Sequence, residues 1–398
     1  MVKTGPIQGP DLLAQSRVPR LCRLMPCPQT MSLASPPPAE LVQAIDQAGG
    51  WLPFDAFMAL ALYAPSWGYY TGGRRKFGLL PQSGSDFVTA PELSAHFGRA
   101  LAAQVAQALA ATGTTEVWEF GAGSGALAEQ VIAALERRGA PLTRYVIVDL
   151  SGSLQARQQD RLAAFAGRVQ WLHTLPERIQ GVVLGNEVLD AMPVKLLQRR
   201  AGVWGERGVA LACGQVVFED RPTALRPPVE VQGEHDYLTE IHPQAEGFVR
   251  TLADKLERGA AFFLDYGFPE HEYFHVQRHM GTLMCHHAHL ADANPLERVG
   301  EKDITAHVNF TGVALAGQDA GLQVLGYTSQ ARFLLNCGLL DGMEGAPLAE
   351  RVMLQKLVNE HEMGELFKVI GFAADSAGQP YSGWQALGFE AGDRSHTL

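Results

Sequence analysis

The feature that most constrains this chain is a regular alternation of short apolar runs with amphipathic helical patterns, which starts near residue 117. Runs typical of buried strands lie at 117–120, 145–150, 169–172, 182–184 and 261–266, and helical patterns lie between them at 126–137, 154–165 and 247–256. Strands that alternate with helices of this length indicate a parallel sheet with helices on both faces. We therefore predict an α/β fold with a Rossmann-like sheet.

The segments outside this alternation divide the rest of the 398 residues. Apolar residues at every fourth position from Leu93 to Leu109 predict an amphipathic helix before the first strand. We predict a disordered tail (1–35), an N-terminal helical cap (36–112), a core (113–270) with a β-rich insertion (195–245), a substrate-recognition insertion with further core elements (271–375) and a flexible tail (376–398). The β-rich insertion is expected to add hairpins to the main sheet.

The charge and the cysteines restrict the partners and the compartment. The chain has 32 Lys and Arg against 42 Asp and Glu, a net charge of −10, so it lacks the basic excess of a general nucleic-acid binder. A cationic partner is compatible with this charge. The five cysteines form no C-x-x-C pair, and no apolar run is long enough to span a bilayer. These features predict a cytoplasmic protein in a reducing compartment.

A glycine-rich loop follows the first predicted strand. Gly121, Gly123 and Gly125 stand where that strand turns into a helix, and Asp149 ends the next strand. Glycines in this position let backbone N–H groups approach a ligand, and an acid such as Asp149 can accept hydrogen bonds from ribose hydroxyls. The pattern is compatible with S-adenosylmethionine, with a nicotinamide dinucleotide, or with a tight turn that binds nothing.

Two further observations favour S-adenosylmethionine. Glu119 lies within the strand two residues before the loop, where a carboxylate suits a cationic amino group and sulfonium but would repel a pyrophosphate. Asn186 and Glu187 follow the apolar run at 182–184, and ligands of open parallel sheets bind beyond the carboxyl ends of the strands. Asn186 is therefore a second candidate contact for the cofactor.

Several motifs resemble one known family, the S-adenosylmethionine-dependent methyltransferases grouped with the mitochondrial complex I assembly-factor arginine methyltransferase and its bacterial relatives (the MidA family). The matching segments are Tyr63-Ala64-Pro65 through Gly68-Tyr69-Tyr70, Asp86 to Ser94, Glu119 to Gly125, Asn186-Glu187-x-x-Asp190-Ala191-x-Pro193, Asp265-Tyr266-Gly267, Asp303-Ile304-Thr305 and Met363-Gly364-Glu365. They follow the family order from about residue 41 to 372. The resemblance implies a class I methyltransferase sheet, S-adenosylmethionine as cofactor, and an arginine of a respiratory complex I subunit as acceptor.

If the acceptor is an arginine, carboxylates must hold its guanidinium and direct a nitrogen at the methyl group. Glu187, Asp190 and Asp265 are the acids at predicted strand ends and are the catalytic candidates. Glu187 could instead orient the cofactor, and Asp190 could cap the following helix. Thr89 and Glu92, in the segment 86–94, are candidate polar contacts that fold over the cofactor.

Asn309 departs from the family pattern, because an Asp is expected at this position. Six of the 13 histidines lie between His271 and His289, but no Cys or acid completes a known ligand spacing, so we predict no metal site. Besides the arginine methyltransferase, three functions stay open: a methyltransferase for another nucleophile, a cofactor-binding assembly chaperone with little turnover, and an NAD-dependent oxidoreductase.

Overall fold

The computed structural model describes residues 36–72, 89–149, 152–343, 345–374 and 383–398. The α-helices of this part of the chain are α1 (Ala39–Gln47), α2 (Phe54–Tyr63), α3 (Ala90–Leu93), α4 (Ala95–Thr112), α5 (Ala126–Arg137), α6 (Gly152–Arg161), α7 (Pro243–Lys255), α8 (Glu270–Tyr273), α9 (Phe310–Asp319), α10 (Gln330–Asn336), α11 (Leu348–Val358) and α12 (Met363–Leu366). None of these helices is long and apolar enough to cross a lipid bilayer.

The strands fall into three sheets. They are β1 (Trp51–Pro53), β2 (Glu116–Phe120), β3 (Arg144–Val148), β4 (Val169–Leu172), β5 (Ile179–Asn186), β6 (Lys195–Arg200), β7 (Val203–Ala212), β8 (Gln215–Pro222), β9 (Tyr237–Ile241), β10 (Leu256–Phe268), β11 (Met284–His287), β12 (Leu290–Asp292), β13 (Asp303–Thr305), β14 (Val308–Asn309), β15 (Gln323–Ser329) and β16 (Phe367–Ala374).

The main sheet has the strand order β4-β3-β2-β5-β10-β16-β15, and β14 pairs with the end of β10. The strands from β4 to β10 are mutually parallel, whereas β16 runs antiparallel to both of its neighbours. After β2 the chain adds β3 and β4 on one side of that strand, and β5 and β10 then follow on its other side. The order of the strands therefore reverses between β2 and β5, which is where open α/β sheets bind their ligands.

Helices cover both faces of this sheet, so the predicted fold class is confirmed. Because successive strand residues point to opposite faces, Phe262 and Leu264 pack in one apolar core with α4 and α5, and Phe263 packs in the other with α7 and α9. The helix α4 thus belongs to the core of the main sheet. The predicted boundary at residue 112, which assigned it to the N-terminal cap, is corrected.

The β-rich insertion does not extend the main sheet, and that prediction was wrong. β6, β7, β8 and β9 form a separate antiparallel sheet, in which β7 also pairs with β1. Both sides of β5 are already paired, with β2 and β10, so the hairpins that follow it find no free edge there. Leu196 and Val209 instead pack on Leu52 and Phe57 of the N-terminal segment.

The third sheet, β12-β11-β13, packs on the same N-terminal segment. Cys285 of β11 and Ile304 of β13 lie in one core with Phe57, Leu62 and Val209. The cap, the β-rich insertion and the segment after β10 are therefore joined through a shared core. Residues of the described chain from Pro36 onward form one compact unit.

The C-terminal residues 383–398 are not a frayed tail, which corrects that part of the prediction for 376–398. Phe389 is 4% exposed, stacks on Phe262 and makes an edge-to-face contact with Phe333. The Asn336 side chain donates hydrogen bonds to the carbonyls of Gly388 and Ala391, at 2.9 and 2.8 Å. The residues 375–382, like the tail 1–35, lie outside the described part of the chain.

Candidate active site

A cavity of about 960 Å³ opens at the carboxyl ends of β2, β3 and β5. It lies where the strand order reverses, and its volume is in the range of cofactor sites. The predicted site residues on its wall are Thr89, Glu119, Gly121, Gly123, Asp149, Asn186, Glu187 and Asp190. The wall also contains residues from α2, α7, β11, β13 and the segment 363–367.

The glycine loop after β2 adopts a conformation that favours glycine. Gly121, Gly123 and Gly125 have φ angles of 63°, 52° and 81°, which L-residues with side chains rarely adopt. A Cβ on Gly121 would lie 3.1 Å from Cγ2 of Val188, so a side chain there is also crowded. The loop thus presents bare backbone to the cavity. Gly125 does not line the cavity and forms the turn into α5.

Glu119 lies at the base of the cavity and is 2% exposed. Its Oε2 accepts a hydrogen bond of 2.6 Å from the hydroxyl of Tyr145. Burial raises the pKa of Glu119 to about 7, since the hydrogen bond from Tyr145 only partly offsets the loss of hydration. A nearby positive charge on a ligand would stabilise the ionised form of this carboxyl.

Asp149 follows β3 and is held by a buried amide. Gln158 of α6 donates one hydrogen bond from Nε2 to Oδ2 of Asp149 (2.9 Å) and one to the carbonyl of Gly123 (3.0 Å). Trp171 donates from its indole to Oε1 of Gln158, at 2.9 Å. The side chain of Gln158 therefore connects three neighbouring strands: it bonds to the loop after β2, to the acid after β3 and to the indole on β4.

Thr89 and Glu92 are placed differently from each other. Thr89 lines the cavity, whereas Glu92 does not and instead accepts hydrogen bonds from Ser124 and Arg161. Glu92 therefore fastens α3 to the glycine loop, and its predicted contact with the cofactor is corrected to a role in positioning. Asp86, from the same predicted segment, lies outside the described residues.

Asn186 and Glu187 line the cavity at the carboxyl end of β5. Nδ2 of Asn186 donates to Oε1 of Glu187 at 3.0 Å, and Oδ1 of Asn186 is buried without a partner in the described chain. Glu187 has a φ of 54°. Burial and the neighbouring charges of Asp190 and Asp303 raise the pKa of Glu187 to about 8.

Asp190 is 4% exposed, and its Oδ1 has no hydrogen-bond partner among the described residues. Burial raises its pKa to about 6, although the hydroxyl of Tyr266 acts in the opposite direction. Asp190 and Glu187 are thus two carboxyls that share one cavity wall, on which the described residues include no Lys or Arg. A buried acceptor atom on a cavity wall is the kind of group that a donor on a ligand satisfies.

Asp265 does not line the cavity, so its predicted contact with an acceptor is corrected. Its Oδ2 accepts from the backbone N–H groups of Val188, Leu189 and Asp190 at 3.2, 2.9 and 3.2 Å, and its Oδ1 accepts from that of Tyr266 at 3.0 Å. The carboxylate is occupied by backbone donors. It positions the turn that carries Glu187 and Asp190.

Sequence reasoning assigned no role to Asp303 and Tyr70, which also line the cavity. Oδ1 of Asp303, on β13, accepts a hydrogen bond of 2.9 Å from the hydroxyl of Tyr70. The Tyr70 ring stacks on Tyr63, whose hydroxyl donates to the carbonyl of Ala191 at 2.9 Å. Both residues lie in family motifs, but nothing in their spacing indicates that they meet.

Asn309 is the N-cap of α9, where its Oδ1 accepts from the backbone N–H of Gly312 at 3.3 Å. Asn and Asp are about equally good N-caps, so the missing charge leaves this role intact. His271 lies on α8, and His275 lies beyond its end. Among the described residues, no group of three or more His, Cys, Asp or Glu could hold a metal ion.

The cavity wall fits S-adenosylmethionine in charge and shape. Five carboxyl side chains line it, from Glu119, Asp149, Glu187, Asp190 and Asp303, and no Lys or Arg is among the described lining residues. The bare loop backbone can receive a nucleoside, and the unpartnered Oδ1 of Asn186 can receive an amino group. A pyrophosphate would face these five acids, and the described part of the cavity wall offers it no Lys or Arg.

Residues 100–328 match the family model described as an S-adenosyl-L-methionine-dependent methyltransferase. Two crystal structures of proteins from Burkholderia thailandensis also resemble the chain. One, which is bound to S-adenosyl-homocysteine, is 50% identical, covers 92% of this chain and 100% of its own, and has a TM-score of 0.86. The other, a native structure, is 48% identical with the same coverages and a TM-score of 0.82.

More distant relatives carry a functional name. The protein arginine methyltransferase NDUFAF7 of Danio rerio, a mitochondrial protein, is 26% identical over 366 residues, which are 81% of this chain and 83% of the relative. Its homologue in Caenorhabditis elegans is 23% identical over 363 residues, with coverages of 82% and 81%.

Proposed function

The chain belongs to the family of S-adenosyl-L-methionine-dependent methyltransferases, and from this premise we propose that it methylates an arginine side chain of a partner protein. The observation that carries the proposal is the part of the cavity wall that Glu187, Asp190 and Asp303 form, which we call its far end. No Lys or Arg is among the described lining residues, and Oδ1 of Asp190 is buried without a partner in the described chain. The relatives named as protein arginine methyltransferases support it independently.

The electrostatics of these acids favour a cationic acceptor. Burial raises the pKa of Glu187 to about 8 and that of Asp190 to about 6, and the negative charge of Asp190 contributes to the shift of Glu187. A guanidinium placed between them would remove this penalty and offer donors in a planar fork. The unpartnered Oδ1 of Asp190 is available to one of those donors.

The cofactor, when bound, supplies an electrophilic methyl group on a sulfonium. Glu119 and Asp149 carry charges suited to its amino or sulfonium groups and its ribose, and the glycine loop receives it against bare backbone. The far-end carboxylates orient the guanidinium so that one nitrogen faces the methyl group. An N–C bond forms as the S–C bond breaks, and the proton lost from that nitrogen passes to an oxygen of Glu187.

We extend the proposal to the partner and the compartment. The partner is a subunit of respiratory complex I, as the family resemblance implies, and the protein acts in the cytoplasm. Of the cysteines in the described chain, Cys213 is free and exposed while Cys285 and Cys337 are free and buried, which is compatible with a reducing compartment. Imaging of a fluorescent fusion tests the location, since a signal restricted to an organelle or membrane would contradict it.

A labelling experiment tests the acceptor. An extract from cells that lack the gene is incubated with the purified protein and S-adenosylmethionine carrying a heavy methyl group, and tandem mass spectrometry locates the label. We expect heavy methyl groups on arginine. Glu187→Gln should abolish this labelling, while Glu257→Gln, at an ion pair with Arg178 outside the cavity, should leave it unchanged.

Other results would contradict the proposal. Label on lysine, on a carboxyl group or on a small molecule would show that the acceptor is not arginine. Binding of the cofactor without label on any partner would favour the assembly chaperone with little turnover.

A further inference from the structure

We propose that Gln158 is a positioning residue that sets the cofactor-binding geometry of Asp149. Gln158 is fully buried on α6 and does not line the cavity, so it does not touch the cofactor itself. Its side-chain amide connects the glycine loop after β2, the acid after β3 and the indole on β4.

The three hydrogen bonds fix which way the amide points. The indole N–H of Trp171 can only donate, so the atom that faces it must be the carbonyl oxygen Oε1. The amino group Nε2 then faces the carbonyl of Gly123 and Oδ2 of Asp149, which are both acceptors. If the amide were flipped, its oxygen would face two acceptors, the carbonyl of Gly123 and Oδ2 of Asp149. Its amino group would face the indole N–H, which is a donor. Trp171 therefore selects the orientation.

This arrangement restrains the carboxylate of Asp149 through its Oδ2. The donor of the hydrogen bond to Oδ2, Gln158, is fully buried, and the acceptor is a carboxylate. Such a bond is stronger than one between two neutral groups. The same amino group holds Gly123, whose φ of 52° belongs to the loop that faces the cofactor. Gln158 thus couples the position of the acid to the shape of the loop.

The proposal rests on Asp149 binding the ribose of the cofactor, and does not depend on which acceptor is methylated. A bidentate contact with two ribose hydroxyls needs a fixed carboxylate plane, so loss of Gln158 should weaken binding of the nucleoside. The cofactor affinity of the full-length protein can be measured by calorimetry with S-adenosyl-homocysteine, without any acceptor. The failure of this proposal and that of arginine methylation are thereby distinguishable.

The first experiment compares the wild type with Gln158→Leu. We expect the dissociation constant for S-adenosyl-homocysteine to rise about 10- to 100-fold, the size of effect typical of a lost hydrogen bond to a charged group. The matched control is Gln170→Leu on β4, whose amide accepts from the exposed Arg144 and should leave the affinity unchanged. In an Asp149→Ala background, Gln158→Leu should raise the dissociation constant by less than about threefold, because the effects of coupled residues are not additive.

The second experiment keeps the shape of the side chain. Gln158→Glu places a carboxyl against Asp149, and the pair can share one proton only in acid. We expect this variant to bind S-adenosyl-homocysteine weakly at pH 8 and to recover most of the wild-type affinity near pH 5.5. Both proteins contain Glu119 and His173, whose ring hydrogen bonds to the carbonyl of Asp149. The affinity of the wild type at the same pH values is therefore the reference for any pH effect that does not come from the new carboxyl.

Two outcomes would overturn the proposal. One is a Gln158→Leu or Gln158→Glu protein that binds the nucleoside like the wild type at pH 8. The other is a full tenfold loss in the Asp149→Ala background, which would show that Gln158 acts independently of Asp149. If Gln158→Leu does not fold, Trp171→Phe removes the donor that selects the amide orientation and should weaken binding about threefold, with no effect expected in the Asp149→Ala background.

Discussion

At the scale of single residues, the titration of the far-end carboxyls predicts how a guanidinium binds. The pKa values of about 8 for Glu187 and about 6 for Asp190 mean that both are partly or fully protonated at pH 6. A cation requires their ionised forms, so its binding releases protons. The affinity for agmatine, a small guanidinium, should therefore increase from pH 6 to 8 and level off above 8.

Calorimetry with S-adenosyl-homocysteine present checks this expectation. Repeating each titration in buffers of different ionisation enthalpy counts the protons released. Glu187→Gln should flatten the upper part of the profile, between pH 7 and 8. An agmatine affinity that is constant from pH 6 to 9 would show that these carboxyls do not bind the cation.

Tyr70 gives a second prediction at this scale. Its hydroxyl donates to Oδ1 of Asp303, so Tyr70→Phe should let that carboxylate turn away from the acceptor. We expect kcat/KM for the arginine substrate to fall about tenfold, and the affinity for S-adenosyl-homocysteine to stay the same. The control is Tyr327→Phe, because the Tyr327 hydroxyl is buried with no partner in the described chain. Equal loss in both variants would contradict a specific role for Tyr70.

At the scale of elements, the turn after β5 depends on one carboxylate. Asp265 accepts four backbone N–H groups, which would all lose their partner in Asp265→Ala. We expect the free energy of unfolding to fall by about 3–5 kcal/mol, in the range of the most severe single substitutions. Urea denaturation measures this, with Glu257→Ala at an exposed ion pair as the control, expected within about 0.5 kcal/mol. A loss below that of the control would show that the turn does not need the carboxylate.

The sequence predicted the elements whose signals are local. The bounds of α5 and β4 are those expected, because the helical period of α5 and the short apolar run of β4 are both local signals. The helix predicted from Leu93 instead begins at Ala95, since the hydroxyl of Ser94 accepts from the N–H of His96 and caps it there. The pairing of β7 with β1 could not be predicted, because β1 lies some 150 residues earlier in the chain and is only three residues long.

The same distinction holds for the site. The glycine loop and Asp149 were predictable because their spacing and conformation are set by neighbouring residues. The roles of Asp265 and Glu92 were not, because a carboxylate that binds backbone N–H groups or a serine has the same sequence signature as one that faces a ligand. Only the folded chain distinguishes positioning acids from acids on the cavity wall.

At the scale of the whole molecule, the concentration of acids in one cavity has a cost for folding. The net charge of −10 is spread over the chain, but five carboxyls line this single cavity within one compact unit. Three of them have raised pKa values of about 7, 8 and 6, for Glu119, Glu187 and Asp190. At these three carboxyls, the folded protein without ligand therefore binds more protons than the unfolded chain above about pH 4.5.

Because the folded state holds these extra protons, its stability must fall as the pH rises through the folded-state values. Buried His242 and His307 act in the opposite sense below pH 6.5, since their pKa values are lowered to about 4. From pH 6.5 to 8 the slope of stability against pH therefore reflects the buried acids whose pKa values are raised, which are Glu119, Glu187 and Asp265. We expect the free energy of unfolding to decrease there by on the order of 1–3 kcal/mol, measured by urea denaturation without ligand. The double variant Glu119→Gln, Glu187→Gln should have a flatter profile than the wild type, and a stability that increases over this interval would contradict the charges assigned to the cavity.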